Sequence, residues 1–240
     1  METRSAQVRR SDWFCPHPLL QWVARLSILL SLVPTAAMAK SPMADGPQAG
    51  DFDYFLLALS WSPEYCAQNE EKTAAQSQCR ASRSLGFVVH GLWPELDRGR
   101  APTSCPTSGG VSGPVINEMM AIMPSAGLIN HEWSVHGSCS GLSPEDYFGR
   151  VLGAFRHIRI PRALEQSKEG PQPNVSQLKQ WFVDVNPGLR PDMLTIHCDR
   201  GNGALREVRF CLGKSLEFRL CPAIAEDRCP AGPLLIRARR

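Results

Sequence analysis

Three histidines and two glutamates stand in two short segments of this chain. The first is Phe87-Val88-Val89-His90-Gly91-Leu92-Trp93-Pro94-Glu95, and the second is His131-Glu132-Trp133-Ser134-Val135-His136-Gly137-Ser138-Cys139. Imidazole changes charge near neutral pH, so one protonated and one neutral ring can run a two-step proton transfer. A metal is a weaker reading. The zinc-protease helix sets its two histidines four apart on one face, whereas His131 and His136 are five apart, about 140° around a helix. Glu132 and His136 are four apart and share a face. The spacing therefore favours a Glu–His pair over a metal pair. Cysteine ligation is also disfavoured: no Cys-x-x-Cys pair occurs, and exported cysteines tend to be oxidised. His157 and His197 lie among apolar neighbours and read as structural.

Two imidazoles and a carboxylate suit RNA. The ribose 2′-OH is a built-in nucleophile, so a catalyst need only remove its proton, protonate the leaving 5′-oxygen and stabilise the charge of the phosphorane. No protein nucleophile, cofactor or metal is required. Residue types alone leave other esters open.

The two segments, in this order and about forty residues apart, closely resemble the active-site segments of the ribonuclease T2 family. Asp53-Tyr54-Phe55-Leu56-Leu57-Ala58-Leu59-Ser60-Trp61-Ser62-Pro63-Glu64-Tyr65-Cys66 resembles its first strand and following turn, 141–148 its next helix start, and Leu205-Arg206-Glu207-Val208-Arg209-Phe210-Cys211 its late strand. The resemblance implies an α+β fold: a disulfide-stapled central antiparallel sheet packed with helices. It implies that His90 protonates the 5′-oxygen, that His136 takes the 2′-OH proton, and that Glu132 assists beside that base. His131 is implied to bind phosphate, and Trp93 to stack a base, with Glu95 as a second base contact. The implied activity is cleavage of single-stranded RNA with low base specificity, through a 2′,3′-cyclic phosphate to a 3′-phosphate. The implied disulfides are Cys66–Cys79, Cys105–Cys139, Cys198–Cys229 and Cys211–Cys221. Two positions depart from the family pattern. Val135 stands where a lysine usually precedes the second histidine, and Glu95 stands where an aspartate is frequent. Val135 leaves an alternative open: a catalytically weakened protein that binds RNA or another partner.

The elements that must hold these residues can be read along the chain. Residues 53–61 suit a buried strand, and Leu85–His90 a second strand ending at the first motif. Residues 91–112 are rich in Gly, Pro, Ser and Thr and read as loop. Helices are expected over Pro114–Met123 and Leu128–Val135. Another should start at Ser143-Pro144-Glu145-Asp146, with Tyr147, Phe148, Val151, Leu152 and Phe155 as its apolar face. A further helix, capped by Asn174 or Ser176, should run through Val183. Strands are expected at Met193–His197, Leu205–Leu212 and Leu216–Leu220. Strands and helices in blocks point to α+β without the family resemblance.

Of the 240 residues, 43% are hydrophobic and 20% charged, and the net charge is +3. Such a chain can bury a core and carries no broad electrostatic footprint for nucleic acid or membrane. Residues 1–39 read as a secretory signal, with Arg4, Arg9, Arg10 and Arg25 ahead of a short apolar run and Ala37-Met38-Ala39 as the cleavage site. Cleavage there removes four arginines against Glu2 and Asp12, leaving a net charge of +1. It also removes Cys15, so that nine cysteines become an even eight, as up to four disulfides require. The expected organisation is a loose segment over 40–51, one catalytic domain over 52–230 and a C-terminal tail over 231–240. A monomer without a membrane anchor, periplasmic or extracellular, is expected.

Overall fold

The computed structural model describes residues 48–69, 71–72, 76–80, 84–166, 170–222 and 225–239. The expected signal at 1–39, Cys15 and most of the 40–51 segment lie outside these residues.

The fold is α+β. Four antiparallel strands, β1 (Tyr54–Trp61), β2 (Phe87–Glu95), β3 (Leu194–Cys198) and β4 (Leu205–Leu212), form one sheet in the order β2-β1-β4-β3. Helices α1 (Ser62–Asn69) and α2 (Gln76–Cys79) follow β1. Between β2 and β3 come α3 (Gly113–Met119), α4 (Ala126–Val135), α5 (Pro144–His157), α6 (Arg162–Gln166) and α7 (Val175–Val185). The core lies between one face of the sheet and the helices: Phe55, Leu57, Val208 and Phe210 meet Phe148 and Val151 of α5 and Phe182 of α7.

Helix starts follow capping chemistry. Ser143 accepts from the Asp146 N–H, with Pro144 in the first turn. Asn174 forms a reciprocal capping box with Gln177. On α5, Tyr147, Phe148, Val151 and Ala154 are buried, while Leu152 and Phe155 are half-buried. Helix α3 is shorter than the expected Pro114–Met123. It ends at Met119, and the carbonyl of Ile122 then accepts from the Val89 N–H, which closes part of the outer edge of β2.

Three elements differ from the sequence reading. Strand β2 does not end at His90 but runs to Glu95, pairing Leu92–Glu95 with Tyr54–Leu57. The register shifts between Ala58, which pairs with Gly91, and Leu59, which pairs with Val89, so the bulge absorbs His90, and because β2 is an edge strand it tolerates Pro94. Leu216–Leu220 is not a strand. Leu216 sits at φ 71° at the end of a turn from Gly213, and only an isolated bridge joins Phe218 to Leu212. Residues 231–239, read as a C-terminal tail, carry structure that the sequence reading did not assign: Leu234 and Ile236 are buried, and the Arg237 carbonyl accepts from the Trp61 indole. An apolar pair, Leu234 and Ile236, turns that segment inward.

Four disulfides staple the fold: Cys66–Cys79, Cys105–Cys139, Cys198–Cys229 and Cys211–Cys221. The second ties the loop after β2 to the 3-10 turn Gly137–Ser140 beyond α4. That loop is also held by Ser104 N–H to the Val135 carbonyl (2.7 Å) and by the Trp133 indole to the Gly109 carbonyl (2.8 Å).

Candidate active site

The second face of the sheet carries polar side chains. Alternation along a strand places Glu207 and Arg209 of β4 on one side, opposite Val208 and Phe210. His90 of β2 reaches the same place, and its Nδ1 lies 2.5 Å from Glu207 Oε1. Ser60 of β1 donates to the same oxygen at 3.2 Å. Arg209 donates to Glu207 Oε2 from Nε (2.8 Å) and Nη2 (2.6 Å). Helix α4 lies across the end of this face and brings in Glu132, which is 1% exposed. Its Oε2 accepts from the Trp93 indole at 2.8 Å, and its Oε1 lies 3.7 Å from His90 Nε2.

Gly91 lets these elements meet. A Cβ there would lie 2.0 Å from Glu132 Oε2 and 2.2 Å from Trp93 Nε1, so a side chain at 91 would occupy the place of that hydrogen bond.

Trp93 is the centre of the cluster. The His136 ring stacks on it (centroids 5.2 Å apart, 29° between planes), and His90 meets it edge-on (5.2 Å, 81°). The Arg209 guanidinium lies over the indole at 4.8 Å. Trp93 is only 9% exposed. His136 and Arg209 lie against the ring expected to stack a base, and Trp93 stands between the two histidines.

Glu132 and His136 both reach Trp93, the first through a hydrogen bond and the second by stacking. Helix α4 ends at Val135, and His136 is its C-cap at φ −116°, ψ −53°. The His136 N–H still donates to the Glu132 carbonyl at 3.0 Å, so the helical hydrogen bonding runs through to the cap. The His136 ring turns onto Trp93, while Glu132 faces Trp93 and His90. His131 is an exposed residue of α4, close enough for its charge to act on His136. Glu95, half-buried at the end of β2, has its pKa raised by burial against the opposing charge of Arg209. Val135, the last residue of α4, is half-buried.

The two central imidazoles titrate in opposite directions. Burial draws the His90 pKa down, but the Glu207 hydrogen bond and the charges of Glu207 and Glu132 outweigh it against Arg209 and raise the value. Burial, then repulsion from His131 and His90, lowers His136 to about 4. Burial pushes the Glu132 carboxyl up to about 7, against the opposing pull of His90 and Trp93. Burial also disfavours the Glu207 anion, yet its bonds and charge contacts with His90 and Arg209 hold its pKa far below the carboxylate range. His90 thus favours the cation and His136 the neutral ring, at either side of one indole. A groove of about 460 Å³ opens beside His90, walled by Ser60, Gln68, Val89, Leu128, Arg206 and Glu207.

Glu207 and Arg209 were read only as part of a strand. Their signal was present: two opposite charges two apart in an apolar run must share a face. His197, on β3 opposite Glu207, is buried and bonded to Thr195 Oγ1 (3.2 Å), while His157 lies against Phe218 at the exposed end of α5.

A family model described as the ribonuclease T2 family matches residues 52–221. A ribonuclease of Aeromonas hydrophila is 44% identical over 194 residues, covering 79% of this chain and 85% of its own. Ribonuclease DdI of Dictyostelium discoideum is 28% identical over 229 residues, covering 85% of this chain and 94% of its own. Among solved structures, an RNase-related protein from Calystegia sepium superposes with a TM-score of 0.61 at 22% identity, over 77% of this chain and 96% of that one.

Proposed function

The chain belongs to the ribonuclease T2 family, and on that premise we propose that it is an exported endoribonuclease that cleaves single-stranded RNA with low base specificity by acid–base transphosphorylation. The observation that carries the reading is the placement of two imidazoles against one indole, His90 edge-on and His136 stacked, in surroundings that favour the cation at the first and the neutral ring at the second. His136, neutral above about pH 4, takes the 2′-OH proton. His90, held as the cation, gives a proton to the leaving 5′-oxygen. The P–O5′ bond breaks as the 2′-oxygen bonds to phosphorus, and the product is a 2′,3′-cyclic phosphate, later hydrolysed to a 3′-phosphate. Glu132, with its pKa near 7, is largely neutral in weak acid, so its Oε1 can donate a hydrogen bond to a phosphoryl oxygen beside His90. His131 binds phosphate, and Glu95 contacts a base. Arg209 is the fixed cation of this face, in a protein whose Val135 offers none. Four disulfides suit an oxidising compartment, periplasmic or extracellular, and the working unit is the monomer, its domain running from 52 to the C-terminus.

The purified protein should cleave single-stranded RNA in EDTA and leave cyclic phosphate ends. His90→Ala and His136→Ala should each lower the rate at least about 100-fold. The wild-type pH profile should be a bell, rising as His136 loses its proton near pH 4 and falling as His90 loses its own above pH 6.5. Full activity in either alanine variant sinks the assignment. Val135 favours a second reading, a protein that binds RNA but no longer cuts it; RNA retention with no product would establish that one.

A further inference from the structure

Strand β4 buries a carboxylate that the acid–base scheme above leaves idle. Glu207 is 1% exposed. An isolated carboxylate there would take up a proton rather than stay charged. Its partners argue for the anion. Oε2 accepts two bonds from Arg209, in the forked geometry of a guanidinium–carboxylate pair. Oε1 accepts from Ser60 and faces His90 Nδ1. Three acceptor sites filled by donors leave one bond for the imidazole, and an anion there requires that Nδ1 carry a hydrogen.

We propose that Glu207, clamped by Arg209, is the positioning residue of His90: it fixes the ring so that Nε2 faces the reacting phosphate, and it holds the ring in the charged form before transfer. The inference rests on the reading of His90 as the general acid. In the transfer, the proton leaves Nε2 for the 5′-oxygen, the Nδ1–H remains on Glu207, and Glu207 stays an anion throughout. The groups that face His90 come from β4 and from α4 with its cap. Glu207 and Arg209 lie on β4, Glu132 on α4 lies 3.7 Å from Nε2, and His136 lies across Trp93. Glu207 favours the cation, as does Glu132 when it is ionised, while Arg209 opposes it. Glu207 is the nearer and the ionised one, so its removal should dominate.

Glu207→Gln keeps the shape and loses the charge. It should lower kcat about 10- to 100-fold with little change in KM. The alkaline limb of the pH profile should move to lower pH, and the NMR titration of the His90 ring should move with it. Glu207→Asp keeps the charge but withdraws it by one methylene. It should leave the alkaline limb near its wild-type place and lower kcat several-fold, and this variant carries the test if the glutamine form does not fold. An unmoved limb and His90 titration in folded Glu207→Gln, or unchanged kcat in Glu207→Asp, overturns the positioning role. These results leave the acid assignment standing so long as His90→Ala is inactive. A fully active His90→Ala overturns the assignment itself.

Discussion

The two faces of the sheet are made from the same four strands, yet adjacent residues obey opposite rules. On the inner face, Phe55, Leu57, Val208 and Phe210 meet helices α5 and α7, and shape alone decides their fit. On the outer face, Glu207 is buried and Ser60, His90 and Arg209 are half-buried, and each is placed by a partner with a matching donor or acceptor. Among the described residues no buried side-chain nitrogen or oxygen lacks a hydrogen-bond partner. The contrast teaches where tolerance lies. The inner face resists changes of volume, and the outer face resists changes of charge or hydrogen-bonding role. Substitutions should therefore separate into losses of stability on one side and losses of rate on the other.

The largest expected effect is on the inner face. Phe210 is fully buried and meets the Phe182 ring at 5.4 Å. Phe210→Ala should destabilise the fold by about 3–5 kcal/mol, read from denaturant midpoints. The activity of each molecule that remains folded should stay near wild type. A loss below about 1 kcal/mol would mean that this face is not the core described.

Gly91→Ala should cross the divide. The new methyl group would enter the space of Glu132 Oε2 and the Trp93 indole nitrogen, at 2.0 and 2.2 Å. Strand β2 is paired to β1 and α4 is held through the Cys105–Cys139 loop, so neither can withdraw freely. The expected result is about 1–3 kcal/mol of lost stability together with a loss of rate, because the bond that aims Glu132 breaks. Normal stability with normal rate would show that Glu132 has another place to go.

Much of this was legible in the sequence. β1 reads as an unbroken apolar run because it is central and covered on both sides. Helix α5 is legible from Ser143 and Pro144 because capping is local chemistry. His90, Glu132 and His136 are marked by residue type and spacing. Their partners were harder to read. Glu132 and Trp93 are 39 residues apart, and His90 and Glu207 are 117 apart, so strand order and helix placement, not spacing, bring them together. Helical spacing related Glu132 to His136 but gave no sign of the Trp93 ring that both of them meet. The extension of β2 was hidden because Gly91 and Pro94 are loop signals until a bulge and a free edge accommodate them.

The smallest expected effect tests whether the outer face already has its cation. Val135 is half-buried beside His136, and its carbonyl is fixed by Ser104. A lysine stem can lie along the same surface and carry its charge toward solvent, so Val135→Lys should change stability by less than about 0.5 kcal/mol. The new charge would sit on the His136 side of Trp93, whereas the charge of Arg209 acts on His90 and Glu207 and is tied to the latter. A phosphorane between the two rings would then face a cation from each side. The rate on single-stranded RNA in EDTA should rise about tenfold, or about 1.4 kcal/mol of barrier. The acid limb should move slightly lower, since a neighbouring cation makes His136 harder to protonate. An unchanged rate with a shifted acid limb would mean that the lysine is in place but not needed, and that the guanidinium held on Glu207 already supplies the charge that Val135 lacks.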